Sequence, residues 1–194
     1  MNTLLALLFK DLSLYQPNVL YLSPNSKIFY LFSALIRSRD FRLNFLIRLQ
    51  SSGLPVFSRL SHSLIFYLYG STIDPRSILT GPIRFVHARN IVIGRHVTIS
   101  GPYALIFHNV TLGKLHPGTN SLPDSMPTFL GGVVIGASST ILGGVTVSER
   151  VVFGANSFCS LPFVPPSSTI VSHNRIVNHV YYDPEPSPFF NSIF

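Results

Sequence analysis

The sequence predicts a mainly β chain, a parallel β-helix of six-residue repeats behind an α-helical N-terminal region. Three observations predict it. Residues 1–69 carry apolar side chains near a 3.6-residue period, the period becomes six from about residue 71, and one Gly- and Pro-rich segment interrupts the repeat.

In the helical region, Pro17 and Pro24 break up the beginning. FRLNFLIRLQSSG (41–53) sets Phe41, Leu43, Phe45, Leu46 and Leu49 near one face, with Arg42 and Arg48 off it, and SerSerGly stops it. Residues 56–69 resume with Phe57, Leu60, Leu64, Ile65 and Leu68. Further on, Ile135, Ile141, Val147, Phe153 and Cys159 step by six, and glycine recurs at 136, 143, 144 and 154. Upstream, Ile73, Leu79 and Phe85 step by six, as do Ile93, Ile99 and Leu105, after a slip of two residues that spans His87. Flat sides of about six residues point the first residue of each hexad inward, and three sides close one coil. A second series, from Ser139 through Val145, Val151, Ser157 and Phe163 to Thr169, is mostly small or β-branched. Residues 113–132 (GKLHPGTNSLPDSMPTFLGG) lack the repeat and read as an extruded, functional loop. The expected organisation is a helical region at 1–70, a β-helix at 71–178 with its loop at 113–132, and a Pro- and Phe-rich tail at 179–194.

Composition bounds the partners. At 194 residues with 46% hydrophobic and 11% charged residues, the chain is not a disordered polymer. Its one cysteine, Cys159, excludes an intramolecular disulfide framework and reads as a core residue at an inward hexad position. The runs MNTLLALLF (1–9), IFYLFSALI (28–36) and LIFYLYG (64–70) are shorter than the ~20 residues that span a bilayer. The N-terminal run also lacks the marks of a signal peptide. The expected location is the cytoplasm, with peripheral contact at the inner face of the membrane left open. The net charge is +7, and residues 1–70 hold seven of the basic residues against Asp11 and Asp40. No nucleic-acid motif accompanies them, so nucleic acid is set aside as a partner.

The stretches IDPRSILTGPIRFVHARNIVIG (73–94), NVTLGK (109–114), GGVVIGASSTILGGVTVSERVVFGANS (131–157), VPPSSTIV (164–171) and NRIV (174–177) resemble the hexapeptide-repeat acyltransferases. The resemblance is to the serine acetyltransferase branch, including its relatives in surface-polysaccharide gene clusters. It implies a left-handed β-helix, a homotrimer, and acetyl-CoA bound in the groove between neighbouring β-helices, with no metal. His87 falls on the catalytic histidine. The chemistry suits it, since an acceptor hydroxyl needs a base to attack a thioester and an imidazole works near neutral pH. Gly113 and Lys114 after the TLG turn, the small Ala137 and Ala155, and Arg175 match cofactor-side positions. Lys114 and Arg175 are expected to meet CoA phosphates.

Some positions depart from the pattern. The family's aspartate that orients the histidine is Thr72 here, and Asp74, two residues on, is the expected replacement. A carboxylate before the histidine is Val86, and an Arg-His pair late in the loop is Ser125 and Met126. Losing these partners of an amino acid predicts a different acceptor, a sugar hydroxyl of a surface polysaccharide, with L-serine second. His108 is expected as a second active-site histidine lining the acceptor pocket. Two readings stand beside this one. One is a zinc hydratase using His87 and His108, and the other is a β-helix that only scaffolds a complex.

Overall fold

A computed structural model describes residues 3–115 and 126–178. Residues 116–125 of the expected loop and the expected tail 179–194, with His116, Ser125 and His179, lie outside the described residues.

The N-terminal part folds as α1 (Thr3–Ser13), a 3-10 turn (Pro17–Tyr21), α2 (Pro24–Arg37), α3 (Arg39–Gln50) and α4 (Pro55–Tyr69). Pro24 and Pro55 open their helices at a position where the missing N–H costs nothing. Ser38 caps α3 by accepting the Phe41 N–H at 3.1 Å. Gly70, at φ 61°, ends α4 in the left-handed conformation.

The first coil holds β1 (Thr72–Ile73), β2 (Ile78–Leu79) and β3 (Ile83–Val86). The next holds β4 (Val92–Ile93), β5 (Thr98–Ile99) and β6 (Ala104–Phe107), and is followed by β7 (Thr111–Gly113), β8 (Thr128–Phe129) and β9 (Val133–Ile135). Above these come β10 (Thr140–Leu142), β11 (Thr146–Val147) and β12 (Val151–Phe153), then β13 (Phe158–Cys159), β14 (Phe163–Val164) and β15 (Ser168–Val171). Equivalent strands stack in parallel into three faces, β1-β4-β7-β10-β13, β2-β5-β8-β11-β14 and β3-β6-β9-β12-β15. The result is a left-handed parallel β-helix behind a helical region. β16 (Arg175–Asn178) reverses and closes the third face antiparallel to β15.

Ile135, Ile141, Val147, Phe153 and Cys159 are all fully buried along the axis. Burying each large apolar side chain is worth about 1.5–3 kcal/mol. Elsewhere the step is not always six. The residue stacked between Phe85 and Ile135 is Ile106, not Leu105, because the corner at Gly101–Tyr103 holds one residue more. Phe163 turns outward and Val164, five residues after Cys159, continues the core. At the glycine corner a Cβ on Gly101 would collide with the Gly131 carbonyl, which explains why no larger residue stands there.

Two expectations about the helices are corrected. Phe57, Leu60 and Leu68 of α4 are exposed, while Ser61, Ile65 and Tyr69 are buried and Leu64 packs against the core. Arg48, expected off the buried face of α3, is 3% exposed and lies at the centre of the junction, with Asn44 and Gln50 buried beside it. The reason is the open end of the β-helix. Its first coil has no coil beneath it, and unpaired edge-strand groups are costly when buried. Side chains of α1 and α3, and Tyr15 just past α1, take the place of the missing coil. Asn44 Nδ2 donates to the Ile83 carbonyl at 2.7 Å, and Gln50 Nε2 to the Ile73 carbonyl at 2.7 Å. The Ile83 N–H donates to Asp11 at 2.8 Å, and the Phe85 N–H to the Tyr15 hydroxyl at 3.2 Å. Arg48 donates to the carbonyls of Leu79 and Gly81. No helix of the described residues is long and apolar enough to cross a membrane.

Candidate active site

The edge between the third face and the first carries the histidines. The pairings Val86↔Phe107, Ile106↔Ile135 and Phe153↔Ile135 run up the third face to this edge. Just past them, His108, Ala137 and Ala155 stack in one column. Ser138 N–H donates to the His108 carbonyl at 3.0 Å, and Asn156 N–H to the Ala137 carbonyl at 2.8 Å. Below His108 the column is continued by Arg89, whose carbonyl accepts the Asn109 N–H at 2.9 Å. Between Val86 and Arg89 the first coil therefore holds two residues that the coil above lacks, His87 and Ala88. They form a bulge, a device that re-aims side chains.

His87 is exposed on this bulge and sits at φ 55°. A non-glycine residue there costs of order 1–3 kcal/mol and persists where its surroundings hold it. Asp40, in the first turn of α3, holds it. Its carboxylate accepts the His87 N–H at 3.0 Å and the Ala88 N–H at 2.9 Å, one on each oxygen. The imidazoles of His87 and His108 lie edge to face with centroids 6.1 Å apart. His108 Nδ1 is buried with no hydrogen-bond partner among the described residues, which marks it for water or a ligand.

The other expected site residues are divided. Ala137 and Ala155 share the histidine edge. Arg175 lies opposite Val171 at the end of the third face, close to that edge. Gly113 and Lys114 lie at the far end of the first face, with the Gly113 carbonyl accepting the Gly143 N–H at 2.9 Å. Asp74 is at that far end too, on the first coil. Its carboxylate accepts the Arg76 N–H at 2.8 Å. Among the described residues, the carboxylate brought to the His87 corner is thus Asp40 rather than Asp74, because β1 carries Asp74 away from the corner while α3 begins beneath it. Sequence reading missed Asp40. Its only signal is that it follows Ser38, a helix cap, by two residues. Val86 is buried at the end of β3.

A cavity of about 280 Å³ opens on the second face among His96, Met126, Thr98, Thr128 and Thr146, apart from the His87 edge. No cluster of three metal-binding side chains occurs among the described residues.

No family model matches the chain. A serine acetyltransferase from Buchnera aphidicola is 35% identical over 123 residues, 63% of this chain and 43% of that protein. The structure of soybean serine acetyltransferase superposes with a TM-score of 0.65 at 30% identity, covering 76% of this chain and 61% of the soybean chain. The chain is a relative of the serine acetyltransferases. These likenesses and the coiled β fold fit the serine acetyltransferase-like branch of the hexapeptide-repeat acyltransferases. A serine acetyltransferase in complex with CoA aligns as well, with a TM-score of 0.63 at 27% identity over 76% of this chain and 61% of that one. The chain spans less than half the length of the Buchnera relative. These likenesses overturn the expected sugar acceptor, because the relatives matched carry the serine activity in their names. Val86 and Met126 do not by themselves identify a glycan acceptor.

Proposed function

We propose that the protein transfers acetyl from acetyl-CoA to the hydroxyl of L-serine, giving O-acetyl-L-serine and CoA. The observation that carries this reading is the edge on which the exposed His87 stands beside His108, below the small residues Ala137 and Ala155. The likeness to serine acetyltransferases supports the acceptor.

His87 removes the proton from the serine hydroxyl as that oxygen attacks the thioester carbonyl. The carbon–sulfur bond then breaks, and the imidazolium returns the proton to the departing CoA thiolate. No acyl-enzyme forms. His108, with its unpartnered Nδ1, lines the acceptor side. Ala137 and Ala155 leave the edge open for the pantetheine arm, and Arg175 and Lys114 meet phosphates. The assembly is a homotrimer in which the His87 edge of one subunit faces its neighbour. Asp74, at the other end of the first face, is available to such a neighbour.

The test is release of CoA thiol from acetyl-CoA with and without L-serine. Serine-dependent release that disappears in His87→Ala supports the reading. Folded protein that releases no CoA with L-serine overturns it.

A further inference from the structure

We propose that Asp40 is a positioning residue for His87, fixing the base from the helical region rather than through its imidazole. The inference rests on the reading of His87 as the base. Its ground is the register of the first coil. The bulge inserts His87 and Ala88 into a corner that elsewhere runs without them. Inserted residues have no partner strand, and at this end of the β-helix no coil lies beneath to supply one. Both of their N–H groups go to a single carboxylate, Asp40, at 3.0 and 2.9 Å. Two donors on two oxygens of one planar group fix both the position and the rotation of the peptide that carries the imidazole, as a single bond would not. Asp40 is itself held, since it occupies the first turn of α3 behind the Ser38 cap. Tyr69 of α4 donates its hydroxyl to the Arg39 carbonyl at 2.9 Å, tying that turn to the next helix. The helical region therefore sets the aim of a side chain that belongs to the β-helix.

The experiment is a double-mutant cycle on the full chain, using His87→Ala, Asp40→Ala and the pair, with acetyl-CoA and L-serine as substrates. Thermal melts accompany each variant, and rates are measured well below every midpoint. Asp40→Ala is expected to lower kcat about tenfold or more while both KM values stay within about twofold, since a small displacement of a base costs rate rather than binding. Asp40→Asn, which keeps one acceptor oxygen, is expected to fall between Asp40→Ala and the unmodified protein. In the His87→Ala background, Asp40→Ala is expected to change the residual rate by less than about twofold. If His87→Ala is inactive and folded Asp40→Ala keeps full kcat, the positioning role is wrong while the base assignment stands. An equal loss in both backgrounds also overturns it, because Asp40 then acts independently of His87. Full activity of His87→Ala defeats the base assignment itself.

Discussion

Arg48 and Asp11 form a buried ion pair between α3 and α1, with Nε to Oδ2 at 2.8 Å and Nη2 to Oδ1 at 2.8 Å. Both side chains are essentially sealed from solvent. The guanidinium also reaches the carbonyls of Leu79 and Gly81, and Asp11 also accepts the Ile83 N–H. Burial pushes the Asp11 carboxyl up from its ordinary range, against the pull of Arg48.

Removing one partner leaves a buried charge and two unpaired carbonyls. Arg48→Met is expected to destabilise the chain by about 3–5 kcal/mol in urea unfolding. The sign of its pH dependence follows from linkage. With Arg48 gone, the Asp11 value rises further in the folded state, so the folded chain holds a proton that the unfolded chain has released. Stability is then lost as pH rises through the folded value and recovered as it falls, so the deficit against the unmodified protein narrows on acidification. A deficit that is constant from pH 8 to pH 5 contradicts this account.

His87→Ala is expected to lower kcat by ~10²-fold or more while circular dichroism and acetyl-CoA binding are retained. The side chain is exposed, so its loss opens no cavity. Isothermal titration with acetyl-CoA separates a lost base from a lost fold.

Ala155 is exposed at the histidine edge. Filling that space with Ala155→Phe is expected to raise KM for acetyl-CoA about tenfold, equivalent to ~1.4 kcal/mol, with little change in melting temperature. Unchanged saturation kinetics would place the pantetheine arm elsewhere.

Cys159 is fully buried, and burial raises its thiol above the ordinary value. The thiolate is the reactive form, so iodoacetamide at pH 7.5 is expected to leave the folded protein unlabelled and to label it fully in denaturant. Fast labelling of the folded state, followed by mass spectrometry, would show that the core opens at that coil.

Apolar steps of six from Ile135 to Cys159 are enough to state a parallel coil. The inward residue of each short flat side must be apolar, and only a repeat that short returns it to one axis. His87 stands out for a related reason, since a two-residue slip in a regular pattern is visible without coordinates. Other features were not legible. Leu105 and Ile106 are both aliphatic, and only the number of residues in the Gly101 corner decides which one stacks on Phe85. Helical amphipathicity places Arg48 off the apolar face of α3, but the surface it meets is a strand edge that needs donors.

By itself, then, the sequence determined the coil, most of its inward residues and the break in the repeat at His87, because each is encoded by local spacing. Tertiary structure alone decided what Asp11, Asp40, Asn44 and Arg48 do. Their backbone partners lie about thirty to seventy residues away, left unpaired where the β-helix begins, and no local pattern records that need.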